Sequence, residues 1–212
     1  MKILLFVLAA LSGYLISGFN PAILLSKALY KKDIRECGSG NPGFTNFKRC
    51  FGAVAWLVLA LDLLKAAAAV VPMGFLFKAY LGDFTLGAAF TGLFCVLGHA
   101  YPVQYRFKGG KGFLVALSTL WAIDWRVGAI STAVMILLLL TTHYMSLSTV
   151  SSLLISPVVM LLLNASLPSV LLVALFVLFT AVRHRENFKR LLSGTESKFY
   201  LSGKNKQIVN KN

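Results

Sequence analysis

Four polar stretches interrupt an otherwise apolar chain, and each carries groups that hold anions. The first, GSGNPGFTNFKR, runs from residue 38 to residue 49. Gly38, Gly40 and Gly43 let the backbone turn and bring N–H groups together, and clustered N–H groups bind phosphate. Ser39, Asn41, Thr45 and Asn46 add neutral hydrogen-bonding side chains. Arg49 adds a forked cation that fits phosphate. The second stretch, GHAYPVQYRFKGGKG, covers 98–112 and ends in Lys108-Gly109-Gly110-Lys111-Gly112, two ammonium groups beside an approachable backbone. In the third, RHRENFKRLLSGTE at 183–196, His184 and Asn187 stand three apart, on one helical face. The fourth, HYMSLST at 143–149, brings the hydroxyls of Ser146 and Thr149. Together they describe a pocket for more than one phosphate beside an apolar bundle. A substrate with a phosphate head and an acyl tail suits both halves.

Other chemistries are excluded or weakly supported. A nucleotide-binding P-loop needs GxxxxGK followed by Ser or Thr; here Gly112 follows Lys111, and Tyr105 occupies the place of the first glycine. Cys37, Cys50 and Cys95 form no CxxC and read as small apolar fillers, with neither a zinc site nor a disulfide framework. No metal or organic cofactor is expected. His99 ends an apolar stretch and reads as a packing or capping residue. Asp62 and Lys65 are three apart and can pair on one helical face. Ionisable residues at membrane depth are functional candidates; a pair that fixes helix packing is the alternative.

The elements that must position these groups are membrane helices. The chain has 212 residues, 58% hydrophobic and 13% charged, with mean hydropathy +0.77; a soluble domain is about 45–50% apolar and about 25% charged. Apolar stretches fall near 3–25, 51–71, 84–103, 112–123, 127–142, 151–163 and 167–182, which predicts an all-α polytopic bundle of about seven spans. Several are shorter than the usual 17–25 residues or so. Pro157 and Pro168 mark a kink or boundary. Lys2 with Ile3–Leu11 imitates a signal peptide, but the apolar run continues to about Leu25, long enough to cross a bilayer. Residues 1–192 read as one membrane domain and 193–212 as a polar, lysine-rich, solvated cytoplasmic tail.

Charge sets the orientation. With seven crossings, 17 of the 21 basic residues fall on one side, which the positive-inside rule makes cytoplasmic. The N-terminus is then outside, the C-terminus inside, and all four polar stretches lie on the cytoplasmic face. The net charge of +14 is accounted for without nucleic acid. A transporter of a phosphorylated or anionic small molecule is a rival reading, but such proteins commonly carry internal repeats and bind near the midplane, and no repeat is visible. A non-catalytic protein that binds lipid phosphate through its basic face would leave the glycine, amide and histidine pattern unexplained.

GSGNPGFTN with Arg49, GHAYPV, FKGGKG, HREN and RLLSGTE resemble the motifs of the bacterial integral-membrane glycerol-3-phosphate acyltransferase family (PlsY), from about Ile3 to Phe199. Asp62 and Lys65 match a D-x-x-K in that family's second span. The resemblance implies a seven-span fold in the bacterial inner membrane and a cytoplasm-facing active site. It implies transfer of a fatty acyl group from acyl phosphate to the 1-hydroxyl of glycerol 3-phosphate, giving lysophosphatidic acid and phosphate, without a cofactor or an acyl-enzyme. On matching positions, Ser39, Arg49, Lys111 and Asn187 hold glycerol 3-phosphate. Thr45, Gly110, Lys111 and His184 cradle the acyl phosphate, with Ser146 or Thr149 adding a hydroxyl. The resemblance suggests that the leaving phosphate takes the proton, with His184 the second choice of base. The sequence departs from the family at Phe44 (commonly alanine), at Phe113-Leu114-Val115 after the glycines, at Ala66 and at Ser17–Pro21. The two phenylalanines are expected to narrow the pocket or alter its substrate.

Overall fold

The structure is a computed structural model that describes residues 1–200. Among these there are eleven α-helices, a few 3-10 turns and no strand. Helix α1 (Lys2–Gly18) runs into α2 (Pro21–Tyr30). Asn20 caps α2 by accepting the Ile23 N–H and also donates to the Pro42 carbonyl at 3.1 Å, so the first helix joint holds the glycine-rich loop. After that loop come the short α3 (Phe44–Phe51) and the long α4 (Ala55–Leu81). At 27 residues, α4 is about 40 Å long and exceeds the hydrocarbon thickness of about 30 Å.

Helix α5 (Phe84–Ala100) starts at the Asp83 cap and ends at the second polar loop. It packs against α1 with the backbones nearly touching: a Cβ at Gly98 would collide with the Tyr14 carbonyl, and one at Gly13 with that of Thr91. Such small residues at crossings let membrane helices approach closely. Helices α6 (Phe113–Ile123) and α7 (Trp125–Thr142) form a pair whose turn is Asp124, which accepts the Arg126 N–H. Helices α8 (Met145–Leu154) and α9 (Ser156–Leu162) follow, with Pro157 in the first turn of α9. Helix α10 (Leu167–Arg183), with Pro168 in its first turn, meets α11 (Arg185–Leu192) at a 55° bend. Both prolines stand where the sequence places breaks, because each lacks the N–H an interior position needs.

The core is shared by α4 through α10, with Val70, Val96, Leu120, Met160 and Phe176 among its buried residues. Outward faces are apolar too. Leu4, Leu8, Leu11 and Leu15 on α1, and Leu171, Leu175 and Leu178 on α10, are exposed at helical spacing, as expected where lipid replaces water. Five helical segments are long and apolar enough to cross a membrane, six if the bent α10–α11 pair counts as one span. The remaining apolar stretch forms α6, which at 11 residues is about 16 Å long and too short to cross alone.

Two expectations from the sequence are corrected. Cys37 and Cys50 are joined by a disulfide across 6.5 Å between Cα atoms, closing the loop that begins the first polar stretch. Only Cys95 is free, buried in the core. The sequence also places a solvated segment from residue 193. Ser193, Gly194, Thr195 and Lys198 are exposed as expected, but Phe199 packs back: it is fully buried beside Phe44 and Phe47, and its N–H bonds the His143 carbonyl at 2.7 Å. Residues 201–212 of that segment lie outside the described residues.

Candidate active site

All four polar stretches meet at one end of the bundle, around a cavity of about 220 Å³. Ser39, Asn41, Gly43, Thr45, Asn46, Arg49, Lys111, Gly112, Ser146, Thr149, His184 and Asn187 line it. Phe44, Trp56, Leu59, Phe113, Leu114, Met135, Leu139 and Met145 add apolar lining. The two phenylalanines that depart from the family pattern both line this cavity. Phe44 packs on Trp56 and on Phe199, with ring centres 5.1 and 6.0 Å apart.

The first loop is shaped from within. Asn46 is buried; its amide oxygen accepts the Ser39 N–H at 2.9 Å, and its NH₂ donates to the Cys37 carbonyl at 2.8 Å. Asn46 therefore builds the loop with the groups expected to meet a ligand. Gly38 and Gly40 have φ of +57° and +70°, a region that L side chains rarely enter. The expected nest of glycine N–H groups is largely occupied: Gly40 bonds Cys37, Gly43 bonds Asn41, Gly109 bonds Ala100 and Gly110 bonds His99, all to carbonyls. The anion-facing donors lie one step on. The first bond into α3 runs from the Phe47 N–H to Gly43, leaving the N–H groups of Phe44, Thr45 and Asn46 at an open helix N-terminus, where negative charge is favoured. The hydroxyls of Ser39 and Thr45 have no partner among the described residues and are open to a ligand. Arg49 is steadied by a 3.3 Å bond to the Ser197 carbonyl.

Opposite lies a connected polar cluster. Lys111 donates to the Asn187 amide oxygen. The Asn187 NH₂ donates to Glu196 at 2.7 Å, Ser146 to the same carboxylate at 2.8 Å, and Arg190 to its other oxygen at 2.7 Å. Thr149 gives its proton to the Ser146 carbonyl. Neither candidate hydroxyl thus keeps a free proton; each offers only an acceptor. Burial, with Arg190 next, pushes the Lys111 ammonium down to about 8. Burial alone would raise the Glu196 carboxyl, but the bonds from Asn187, Arg190 and Ser146 bring it below its ordinary range. Arg183 lies under the second loop, bonding the Gly110 carbonyl at 3.0 Å and facing the Tyr101 ring. His184 Nδ1 is 2.8 Å from the Thr180 carbonyl. A carbonyl only accepts, so Nδ1 carries a proton, and in the neutral ring Nε2 is an acceptor.

Three expected residues lie elsewhere. Gly40, Lys108 and Gly109 line a neighbouring open cavity of about 720 Å³, with Lys27, Asp33, Arg35 and Arg106. Gly38 and Gly110 shape the loops and line neither cavity. Conversely, His99, Arg190 and Glu196, which were not expected in the site, line the inner cavity, as does Asp62, which was a functional candidate without an assigned role. Glu196 is visible only as part of the RLLSGTE run, in a segment that reads as tail. His99 was legible only through its place near the start of the second polar stretch. Among the described residues no cluster of His, Cys, Asp and Glu is arranged to hold a metal.

Fold and cavity define a polytopic helical membrane protein with a cavity lined by both cationic and apolar side chains. A family profile described as glycerol-3-phosphate acyltransferase matches residues 7–194. A glycerol-3-phosphate acyltransferase of Thermoanaerobacter pseudethanolicus is 39% identical over 91% of this chain and 94% of its own length. That of Rhizobium etli is 36% identical over 92% of each. The fold is also similar to crystal structures of PlsY, an integral membrane glycerol 3-phosphate acyltransferase. The glycerol 3-phosphate form aligns with TM-score 0.83 and 30% identity, covering 92% of this chain and 96% of that one. The lysophosphatidic acid form aligns with TM-score 0.80 and 29% identity, covering 92% and 95%. The chain belongs to the glycerol-3-phosphate acyltransferase family, of the PlsY type.

Proposed function

We propose that the protein transfers a fatty acyl group from acyl phosphate to the 1-hydroxyl of glycerol 3-phosphate, releasing lysophosphatidic acid and inorganic phosphate on the cytoplasmic face of the bacterial inner membrane. The observation that carries this is one cavity lined both by cations, open hydroxyls and a helix N-terminus and by large apolar side chains. Such a cavity suits a substrate that is phosphate at one end and acyl chain at the other.

In this reading Arg49, Ser39, Lys111 and Asn187 hold glycerol 3-phosphate. Thr45, the N-terminus of α3, Lys111 and His184 hold the acyl phosphate, whose chain lies along Phe44, Phe113, Met135 and Leu139. The 1-hydroxyl oxygen attacks the acyl carbonyl carbon; the bond from that carbon to the phosphate oxygen breaks, and phosphate leaves with the electron pair. The carbonyl is already activated, so positioning and charge stabilisation suffice, and no covalent nucleophile is required. Phosphate, with a second pKa of about 6, takes the hydroxyl proton. His184 Nε2 can accept a hydrogen bond from that hydroxyl or from the protonated phosphate.

The test is phosphate release by purified protein given palmitoyl phosphate and glycerol 3-phosphate. Release should depend on both substrates, yield lysophosphatidic acid, and fall about 100-fold or more in Arg49→Ala, the scale of losing a preorganised charge donor. Folded protein that releases nothing above the Arg49→Ala background would overturn the reading.

A further inference from the structure

One polar group on the inner cavity remains unassigned. Asp62 and Lys65 lie on α4 and His99 near the end of α5, with side chains only 2%, 10% and 5% exposed. Lys65 Nζ is 2.8 Å from Asp62 Oδ1, 3.0 Å from His99 Nδ1 and 2.9 Å from the Phe19 carbonyl. Three neighbours match the three N–H bonds of an ammonium group. Asp62 balances its charge. An ammonium nitrogen has no lone pair and can only donate, so His99 Nδ1 must be the acceptor. The ring proton of His99 then sits on Nε2. Asp62, 3.6 Å from Nδ1, is too far to claim that nitrogen.

Nε2 faces the second polar loop. A Cβ at Gly110 would collide with it, so only glycine fits there. The Gly110 N–H bonds the His99 carbonyl at 3.1 Å, fixing loop and ring together. Among the described residues nothing accepts a hydrogen bond from Nε2, and His99 lines the same cavity as Lys111. His184, across that cavity, has the opposite polarity: its Nδ1 proton goes to Thr180, and Nε2 is left as the acceptor.

We propose that His99 is a substrate-contacting donor: its Nε2–H, set in that tautomer by Lys65, bonds an oxygen of a phosphate held in the inner cavity beside Lys111. Lys65 and Asp62 are positioning residues that act through it. A neutral donor fixed in a dry site stabilises the charge of a departing phosphate without moving as the bond breaks. The identity of that phosphate as the acyl-phosphate group rests on the function proposed above; the tautomer and the phosphate contact do not.

The experiment uses full-length protein in nanodiscs with ¹⁵N-labelled histidine. The chain has only three histidines, so His143→Gln and His184→Gln assign the spectrum. The expected result is an Nε2–H tautomer for His99 whose Nε2 signal moves on adding inorganic phosphate. Lys65→Arg should keep that tautomer and Lys65→Met lose it. An Nδ1–H ring, or a signal indifferent to phosphate, overturns the proposal. In turnover, His99→Gln, which keeps an N–H near Nε2, should stay within about tenfold of the parent. His99→Phe should lose about 100-fold or more at an unchanged unfolding temperature. Equal losses would reduce His99 to packing. If the parent protein does not turn over palmitoyl phosphate, the function fails while the spectra still decide the tautomer and the contact.

Discussion

Lys111 joins two opposed demands: in the proposed reaction it stays cationic to hold phosphate, yet burial and the nearby Arg190 push its ammonium down to about 8. Its folded value lies below the unfolded one, so its charge costs stability below about pH 8, and the cost fades as pH rises toward 10.5. Binding has the opposite dependence. Affinity for glycerol 3-phosphate, measured calorimetrically, should weaken as pH rises from 7 to 9.5, and Lys111→Arg should flatten the decline because a guanidinium stays charged. Glu196 governs the same cluster. Its carboxylate holds Asn187, Ser146 and Arg190, and a hydrogen bond to a charged group contributes about 1.5–3 kcal/mol. Glu196→Ala should lower the unfolding temperature and abolish activity together, whereas Glu196→Gln should keep more of the fold. A variant with full stability and no activity would instead point to a direct chemical role. The residues that meet around the inner cavity were legible where a motif declares a charge or hydroxyl: Ser39, Arg49, Lys111, His184 and Asn187. The tautomers of His99 and His184 were not, because each is set by one carbonyl or ammonium remote in sequence or backbone-borne. Nor was the occupation of the glycine N–H groups, since composition does not say which carbonyl will take each one.

At the scale of elements, the apolar stretches each became helix, because a chain in lipid must satisfy its backbone internally, and Pro157 and Pro168 broke it where an N–H was missing. What spacing did not reveal is how the first polar loop is held. Cys37 and Cys50 carry no motif, yet their disulfide joins the start of that loop to the end of α3. Ser39 lies two residues from one cysteine and Arg49 is next to the other, so both inherit its constraint. Reducing the bond, or replacing Cys50 by Ser, is expected to raise KM for glycerol 3-phosphate while changing kcat little, because the loop would be ordered at the moment of binding instead of beforehand. Steady-state kinetics with and without a thiol reductant checks this; identical KM values would mean that Asn46 and the Asn20–Pro42 bond hold the loop unaided.

At the scale of the whole molecule, the shared cavity restricts how the chain threads the membrane. The polar stretches at 38–49, 98–112, 143–149 and 183–196 meet at one end, so the helices between successive stretches must leave that end and return. Helices α4 and α5 do so, as do α8–α9 and α10. The same logic makes α6 and α7 a there-and-back pair although α6 has only 11 residues. Two outcomes satisfy it: the pair crosses a locally thinned bilayer, giving seven crossings, or its turn stops within the membrane, giving five. Either count is odd, and either topology predicts an N-terminus opposite the site, as the clustering of basic residues does. The turn favours the first outcome: it carries the Asp124–Arg126 ion pair, its arginine exposed, close in sequence to Trp121 and Trp125, which are 45% and 68% exposed, and such aromatic residues settle at the membrane–water interface. Cysteines placed singly at Arg126 and Arg185 decide it. In intact cells whose outer barrier is opened, a membrane-impermeant maleimide should label Arg126→Cys, and should reach Arg185→Cys only after the inner membrane is permeabilised. Labelling of Arg126→Cys from neither side would make α6–α7 re-entrant, and labelling of Arg185→Cys from outside would invert the protein.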